Sequence, residues 1–231
     1  MLRPSGKPGR DCPRCPRLVA FRIGWREKEP DWFNAPVPSF GSIEARLLIV
    51  GLAPGLRGAN RTGRPFTGDY AGDLLYQTLK DFGFAQGTYQ ARPDDGFTLI
   101  DCRITNAVRC VPPENKPTPQ EITACRDFLS ETIGEMRKLR SIVALGRVAH
   151  ETVVRARSAR RADHPFGHGS VRAMGEMMLF DSYHCSRYNT NTGVLTPQMF
   201  RDVFAKVRAH LDADEHVVAL PELESKASRN S

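Results

Sequence analysis

Three polar side chains follow predicted strands, and together they offer a carboxylate, an amide and an imidazole. Asp69 ends a loop that begins after the apolar run at 47–50, Asn106 follows a second predicted strand, and His184 follows the run at 177–180. The carboxyl ends of parallel strands meet at one edge of a sheet, where ligands bind. Such a set can hold a water molecule and form hydrogen bonds to a substrate. A lone histidine is more often structural, so the prediction depends on the three segments converging.

The loop at 51–69 (GLAPGLRGANRTGRPFTGD) carries most of the polar groups of the candidate site. Its five glycines and two prolines favour tight turns and a close approach of the backbone to a ligand. Three arginines, two threonines, an asparagine and an aspartate supply donors, acceptors and one carboxylate. An ordinary surface loop is the alternative, but long loops in compact domains are usually functional or disordered. We therefore interpret this segment as the active-site loop.

The elements that would position these groups alternate between strand and helix. Apolar runs predict strands at 46–51, 97–101, 141–145 and 177–180. Helices are predicted after each loop, and the one at Thr118 has a threonine cap, a proline at its first position and Glu121 at its third. This order predicts an α/β fold with three layers, α/β/α, around a central four-stranded parallel sheet.

Four of the six cysteines form a candidate metal site. Cys12 and Cys15 have the C-x-x-C spacing of a ligand pair, and the predicted partners are Cys110 and Cys125. Four thiolates suit either zinc or an iron–sulfur cluster, and the pattern alone does not choose between them. Cys102 could replace Cys110 by spacing, and a set of buried structural cysteines is the alternative without a metal.

Composition limits the partners and the compartment. The formal net charge of +7 at pH 7 and the isoelectric point near 9.3 favour a polyanionic partner. No apolar run approaches the roughly 18 residues of a membrane span, and the first residues lack the apolar region of a signal peptide. We expect a cytoplasmic, monomeric protein with one domain over 1–231, flexible at 1–10 and 213–231.

Three motifs together resemble the family 5 uracil-DNA glycosylases, the UDGb type. The first is the loop at 51–69; the second is TNAVRC at 105–110; the third is SYHxSxxNxNTG at 182–193. The resemblance extends from about Cys12 to Leu211. It differs from family 4, whose first motif carries a glutamate where Leu52 stands. The third motif departs from many relatives at Cys185, Arg187 and Tyr188, in the loop that wedges into DNA.

The resemblance implies a uracil-DNA glycosylase-like fold, a [4Fe–4S] cluster on the four cysteines and double-stranded DNA containing deaminated bases as the partner. The expected reaction flips out uracil, hypoxanthine or a related base, hydrolyses its N-glycosidic bond and leaves an abasic site. Asp69 would act on a water molecule or on the sugar, His184 would donate to the base oxygen, and Asn106 would contribute to catalysis or to base recognition.

The remaining expected contacts are to the base and to the DNA backbone. Phe66 would stack on the base, with a core phenylalanine as the alternative. The other base-binding positions are consecutive: Gly51, Leu52, Ala53, Pro54 and Gly55. Expected phosphate contacts are Arg61, Arg64, Ser186 and Asn189, with plain solvated charge as the alternative for the arginines. Two other functions remain open: a non-catalytic four-cysteine nucleic-acid-binding module, and a family 4-like enzyme restricted to uracil.

Overall fold

The computed structural model describes residues 7–227, with side chains described as far as residue 213. Helices and strands alternate along most of this length, as predicted. The elements, in chain order, are α1 (Pro16–Lys28), β1 (Phe40–Gly41), β2 (Leu47–Gly51), α2 (Ala59–Thr62), α3 (Tyr70–Asp81), β3 (Ala85–Gln86), β4 (Thr98–Leu99), β5 (Cys102–Asn106), a 3₁₀ turn (Pro113–Asn115), α4 (Pro119–Glu135), β6 (Ser141–Leu145), α5 (Arg147–Ala156), β7 (Val171–Met174), β8 (Met177–Ser182), α6 (Arg187–Asn191) and α7 (Pro197–Ala227).

The main sheet has six strands in the order β1-β5-β2-β6-β8-β7. Its four central strands are parallel, which confirms the predicted four-stranded parallel sheet. Two antiparallel strands, β1 and β7, extend the sheet at its edges and were not predicted. The register pairs Gly51 with Asn106, so the carboxyl ends of β2 and β5 lie side by side.

The strand predicted at 97–101 is wrong in position. Thr98–Leu99 pairs with Ala85–Gln86 in a separate two-stranded sheet, and the strand of the main sheet is Cys102–Asn106. Asp101 separates them with a left-handed φ of 49°, and its carboxylate accepts hydrogen bonds from the backbone and side chain of Arg46. The chain therefore turns where the apolar pattern alone suggests an extended segment.

Helices cover both faces of the sheet because strand β2 is apolar on both sides. Leu47 and Ile49 pack into a core cluster that includes residues of α3 and α7. Leu48 and Val50 pack into a second cluster that includes residues of α4 and α5. All five residues of β2 are buried, as expected for a parallel strand covered on both faces. The predicted three-layer α/β/α arrangement is confirmed.

The N-terminal segment packs against α4 through a third cluster, made of Leu18, Val108, Cys125 and Phe128. The predicted capping box of α4 is present: Thr118 accepts from the Glu121 N–H, and the Glu121 carboxylate accepts from the Thr118 N–H. Both carboxylate oxygens of Glu121 also accept from the guanidinium of Arg17. The same glutamate thus starts α4 and ties α1 to it.

The last helix begins at Pro197, as predicted, and its backbone continues to Ala227, across much of the tail for which the sequence suggests flexibility. Residues 1–6 and 228–231, which belong to the two ends expected to be flexible, lie outside the described residues. Among the helices of residues 7–227, none has the length and apolar character required to cross a membrane.

Candidate active site

An open pocket of about 680 Å³ lies at the carboxyl edge of the central strands. Asp69, Asn106 and His184 all line it, so the three segments converge as the strand-end argument predicts. Segments that follow β2, β5 and β8 supply the walls. The full lining is Leu52, Ala53, Pro54, Gly55, Arg57, Ala59, Phe66, Gly68, Asp69, Tyr70, Ala71, Asn106, Asn115, His184, Ser186 and Arg187.

Asp69 is the N-cap residue of α3, and its carboxylate accepts a hydrogen bond of 3.3 Å from the Gly72 N–H. Burial raises the pKa of Asp69 above its ordinary value, and the neighbouring charge of Asp73 raises it further. Glycine is required opposite this carboxylate, since a Cβ at Gly58 would lie 2.4 Å from the Asp69 Oδ2 atom. The loop backbone thus encloses one side of the carboxylate.

Asn106 ends β5 with its side chain facing the pocket, and it is only 3% exposed. Its Oδ1 atom has no hydrogen-bond partner among the residues that the structure describes. A buried polar atom without a partner costs about 1–3 kcal/mol, so this amide is ready to receive a donor from a ligand. A Cβ at Gly51 would lie 2.5 Å from the same oxygen, which explains the glycine at the end of β2.

His184 lies two residues beyond β8, partly buried in the pocket wall. Burial lowers the pKa of His184 to about 4, because the surroundings disfavour the charged ring. The imidazole is therefore neutral at neutral pH, with one N–H donor and one acceptor nitrogen. Within residues 7–213 no side chain or backbone group forms a hydrogen bond to this ring, so the donor is free to meet a ligand.

Phe66 belongs to the core, as its alternative interpretation predicts, and it also lines the pocket, so that stacking on a base stays a prediction. Its ring lies 6.0 Å from the His184 ring, at 26° between the planes. Its φ of 52° is unusual for a bulky residue, and such strain is found where function requires it. Tyr89 holds this conformation by donating to the Phe66 carbonyl and accepting from the Gly68 N–H.

The segment from Gly51 to Gly55 forms the wall beside Asn106. The carbonyls of Gly51 and Leu52 accept from the N–H groups of Ala107 and Val108, which fixes the loop to the segment after β5. Leu52, Ala53, Pro54 and Gly55 line the pocket, whereas Gly51 lies buried behind it as the last residue of β2. Base binding by these five positions stays a prediction.

Arg64 requires a correction, because its guanidinium faces the protein interior. The side chains of Arg64 and Asp95 are 6% and 0% exposed, and they form two parallel hydrogen bonds of 2.8 Å. The guanidinium also donates to Thr67 and lies over the rings of Phe40, Tyr76 and Tyr89. A cation buried in this way is unavailable to a DNA phosphate. The ion pair also holds the pKa of Asp95 well below its usual range.

The two arginines of this loop should therefore respond differently to substitution. We expect Arg64→Gln to lower the free energy of unfolding by about 3–5 kcal/mol, because it leaves the Asp95 carboxylate buried without its partner. Arg61 is exposed, so Arg61→Gln should change stability by less than about 0.5 kcal/mol. The same variant should reduce the salt dependence of DNA binding by about one phosphate contact. Denaturant titrations and binding at several salt concentrations measure both effects; equal stabilities would contradict the assignment.

Ser186 and Asn189 both support the loop that carries His184. The Ser186 hydroxyl accepts from the Asn189 N–H and so caps α6, while the Asn189 side-chain amide donates to the His184 carbonyl at 2.8 Å. Ser186 also lines the pocket. Contact of either residue with DNA stays a prediction.

Seven further residues line the pocket without a role predicted from the sequence, and four of them have polar or aromatic side chains: Arg57, Tyr70, Asn115 and Arg187. Tyr70 directly follows Asp69, and the Arg187 guanidinium lies 5.3 Å from the centre of its ring. Asn115 belongs to the 3₁₀ turn, where Glu114 and Asn115 have left-handed φ values of 54° and 56°. No sequence signal joins that turn to the pocket, although asparagine tolerates this conformation well.

The four predicted cysteine ligands all line one small cavity between the N-terminal segment, α4 and the segment after β5. Cys102 does not: it is fully buried at the start of β5, in the core beneath α3 and α7. The alternative set with Cys102 in place of Cys110 is therefore wrong. Two N–H donors point at the sulfur atoms, from the Arg22 guanidinium to Cys110 and from the Arg109 backbone to Cys125, each at 3.3 Å.

The chemistry of this cavity fits a group that binds thiolates. Burial raises the pKa of Cys110 to about 12 and that of Cys125 to about 11, so both thiols stay protonated unless a metal displaces the proton. No three histidine, cysteine, aspartate or glutamate side chains in the described part of the chain are arranged to hold a single metal ion. The sulfur atoms thus surround one cavity without meeting at a single point.

A mostly parallel sheet has helices on both faces, and the pocket at its carboxyl edge combines a carboxylate, an amide, an imidazole and an aromatic ring; this arrangement is typical of an α/β enzyme. Residues 38–208 match the uracil DNA glycosylase superfamily. The chain belongs to that superfamily and, within it, to the type-5 uracil-DNA glycosylases, as its three motifs predict.

The similarity to individual relatives covers most of the chain. The type-5 uracil-DNA glycosylase of Thermus thermophilus is 45% identical over 204 residues, which are 85% of this chain and 92% of the relative. That of Pyrobaculum aerophilum is 38% identical over 203 residues, 86% of this chain and 88% of the relative. A type-4 uracil-DNA glycosylase of the same archaeon is 35% identical over 155 residues, only 67% and 64% of the two chains.

Proposed function

We propose that this chain removes uracil and other deaminated bases, including hypoxanthine, from double-stranded DNA by hydrolysing the N-glycosidic bond. The product is an abasic site, the substrate for the later steps of base excision repair. The observation that carries the proposal is the convergence of Asp69, Asn106 and His184 around one pocket, with the Phe66 ring beside the imidazole. A carboxylate, an amide and a neutral donor are what a nucleoside with a departing base requires.

A base must leave the double helix to reach this pocket. Extrusion costs a few kcal/mol, and least for a mispaired base, so a uracil opposite guanine is favoured. The pocket, at about 680 Å³, has room for a single nucleoside. The Phe66 ring offers one stacking surface, and its fixed backbone keeps that surface in place.

Asp69 acts on the sugar side of the bond. As the base leaves, positive charge develops on the sugar, and a buried carboxylate stabilises it or holds the attacking water molecule. A positioned base typically contributes about 10²–10⁴-fold to the rate. The hydrogen bond from the Gly72 N–H and the start of α3 fix the carboxylate in place.

His184 and Asn106 act on the base. Negative charge develops on the departing base, and the neutral imidazole of His184 donates its N–H to a base oxygen. The side-chain amide of Asn106 carries both donor and acceptor atoms, and its unpartnered Oδ1 atom suits an N–H on the base edge. Together they stabilise the negative charge on the leaving group by hydrogen bonding, without a change in the charge of the protein.

The chemistry of the pocket wall is consistent with excision of a broad range of bases. Leu52, Ala53, Pro54 and Gly55 present backbone and apolar surface, with no charged side chain to select one base edge. Among the described residues no lysine lines the pocket, so direct hydrolysis is expected rather than a covalent intermediate followed by strand cleavage. We further propose that the chain acts as a single-domain monomer.

A base-release assay tests this function. Duplexes carry uracil or hypoxanthine opposite each of the four normal bases, and release is read as an alkali-sensitive abasic site. We expect release of both bases, fastest for uracil opposite guanine. Release of uracil alone would replace the broad specificity with that of a type-4-like enzyme. Binding of the duplexes without any release would indicate a non-catalytic nucleic-acid-binding module.

The four-cysteine cavity supports a second element of the proposal, a [4Fe–4S] cluster held by Cys12, Cys15, Cys110 and Cys125. Four cysteine side chains around one cavity supply the thiolate ligands that such a cluster requires, and the resemblance of the three motifs favours the cluster over one zinc ion. The bound cluster would supply structural cross-links between the N-terminal segment and α4. The N–H donors from Arg22 and Arg109 would stabilise thiolate ligands there.

Iron content and colour measure this element without reference to activity. We expect the purified protein to be brown, with about four iron atoms per chain. Cys125→Ser should lose most of the iron and the colour. Cys102→Ala is the matched control: that cysteine is equally buried but lies outside the cavity, so its iron content should equal that of the unmodified chain. A colourless, zinc-containing protein, or full iron in the Cys125→Ser protein, would contradict the proposal.

A further inference from the structure

The orientation of the His184 ring has no direct side-chain anchor. Within residues 7–213 the imidazole forms no hydrogen bond, and its pKa is shifted by burial alone. A donor that must meet a developing charge needs a fixed direction, because preorganised donors contribute most. The direction of this ring must therefore come from the backbone that carries it and from packing against Phe66.

Hydrogen bonds hold that backbone immediately before and after His184. Before it, the Tyr183 N–H donates to the Nδ1 atom of His168 at 3.1 Å. After it, the His184 carbonyl accepts from the side-chain amide of Asn189 at 2.8 Å. The Ser182 carbonyl also accepts from the Gly146 N–H at 2.7 Å, which joins this segment to the end of β6.

His168 contacts Tyr183 through its ring as well as through its nitrogen. The two rings stack, with centres 4.9 Å apart and 17° between their planes. Because Nδ1 accepts the Tyr183 N–H, His168 must be neutral with its proton on Nε2. Burial lowers the pKa of His168 from its ordinary value and so favours this neutral form.

A buried hydrogen bond between His150 and Asp181 fixes the segment that carries His168. Asp181, in β8, is fully buried, and its carboxylate accepts from the His150 Nδ1 atom at 2.6 Å and from the Gly167 N–H at 3.3 Å. The Nε2 atom of His150 lies 2.7 Å from the His164 carbonyl. Both ring nitrogens of His150 thus face oxygen atoms; burial lowers the pKa of His150, but these partners outweigh it and raise the pKa above its ordinary value.

Backbone bonds complete the attachment. The Gly169 N–H donates to the Asp181 carbonyl at 2.8 Å, and the Asp181 N–H donates to the Ser170 carbonyl at 3.0 Å. The segment at 164–170 is therefore tied to one residue of β8 by its side chain and by its backbone. The segment at 164–170, which looks in the sequence like a basic surface loop, thus packs against β8 and supports the residues behind the pocket.

We propose that His168 is a positioning residue for His184. Its Nδ1 atom and its ring hold Tyr183, and the adjacent imidazole thereby points into the pocket; the His150–Asp181 pair holds His168 in turn. This inference rests on the proposed function, since it assigns a direction to the donor that the reaction requires. Neither His150 nor His168 touches the pocket, so both act at a distance from the base.

Two substitutions separate the acceptor of His168 from its ring. His168→Phe keeps a ring for stacking but leaves the Tyr183 N–H without an acceptor. His168→Asn keeps an oxygen near the position of Nδ1 and loses the ring. We expect the single-turnover rate of uracil release to fall about 10- to 100-fold in the first variant, as for a small misplacement of a catalytic group. The asparagine variant should recover most of that loss, and neither should change the affinity for the duplex.

A double-mutant cycle with His184→Ala shows whether His168 acts through His184. In that background the His168→Phe change should have no further effect on the rate, because the group that it positions is absent. Equal losses in both backgrounds, or a loss of DNA affinity instead of rate, would overturn the proposal. Melting temperatures of the variants separate a general loss of stability from the specific effect.

An NMR measurement tests the positioning of His184 independently of base release. The imidazole ¹⁵N resonances of His184 should shift in His168→Phe and stay near their original positions in His168→Asn. If the unmodified protein released no base, the proposed function would fail, and the resonances would still report on positioning. Unchanged His184 resonances in the phenylalanine variant would overturn the positioning role whatever the activity.

Discussion

Asp69→Asn is expected to lower the single-turnover rate of uracil release by about 10²–10⁴-fold while leaving the affinity for a uracil-containing duplex unchanged. The substitution removes the negative charge and keeps the shape of the side chain. Asparagine is also a good N-cap residue, so α3 keeps its cap, whereas Asp69→Ala would lose about 1 kcal/mol of helix stability as well. Rapid quench of enzyme in excess over labelled duplex measures the rate, and fluorescence anisotropy measures the affinity.

The pH dependence of uracil release gives an independent test of the role of Asp69. Burial raises the pKa of Asp69, so the carboxylate is lost at a higher pH than that of an ordinary aspartate. Uracil release should therefore fall as the pH decreases through this raised pKa, and the fall should be absent in Asp69→Asn. His184, with its pKa of about 4, is neutral at higher pH and contributes no fall there.

Asp73 provides the control for Asp69. It lies one turn further along α3, in an exposed position outside the pocket lining. Asp73→Asn removes the same charge from the same helix and should leave uracil release within about threefold of the unmodified rate. Near-normal release by Asp69→Asn, or an equal loss in both variants, would remove Asp69 from the mechanism.

Loss of the imidazole donor should have the second largest effect. We expect His184→Phe to reduce uracil release by about 10²–10³-fold, the usual result of removing one donor to a developing negative charge. Phenylalanine keeps a ring that packs beside Phe66, so the pocket wall should survive. His184→Gln restores an N–H donor without the ring and should recover part of the rate.

Thermal unfolding and duplex affinity serve as control measurements for the two His184 variants. Both measurements should stay close to those of the unmodified chain, because the imidazole forms no hydrogen bond within the described residues. A loss of the same size in the glutamine and phenylalanine variants would indicate that packing, not hydrogen bonding, explains the role of His184. A normal rate in His184→Phe would exclude it from the reaction.

The convergence of the site was predictable from the sequence because it depends on a topological rule. Strands alternating with helices give a parallel sheet, and polar residues that follow such strands meet at its carboxyl edge. The register of β2 with β5, which pairs Gly51 with Asn106, realises that rule. The three motifs predicted the family, and the similarity to type-5 relatives confirms that prediction.

Long-range partners could not be predicted in the same way. Arg64 stands among polar residues in a glycine-rich loop, which suggests a solvent-exposed cation, but it pairs with the buried side chain of Asp95, 31 residues away, and its guanidinium lies over aromatic rings. Nothing local to Arg64 signals that ion pair. The role of His168 was invisible for the same reason, since Tyr183 reaches it across 15 residues.

The choice between two cysteines also required the three-dimensional structure. Cys102 and Cys110 lie eight residues apart, at the start of β5 and beyond its end. Because the strand was predicted at 97–101, both cysteines were expected to follow it. Spacing alone therefore left either thiol as a possible metal ligand. In the structure β5 separates the two cysteines. Cys102 is buried in the core, and Cys110 lines the cavity shared with Cys12, Cys15 and Cys125.

The crystal structure of the Asp69→Asn protein bound to a duplex with one uracil opposite guanine tests the central claim most directly. We predict that the uracil lies outside the helix, stacked on Phe66, with its polar edge within hydrogen-bond distance of Asn106 and a base oxygen within reach of the His184 imidazole. A uracil that stays paired in the duplex, or one held elsewhere on the protein while this pocket stays empty, would contradict the account.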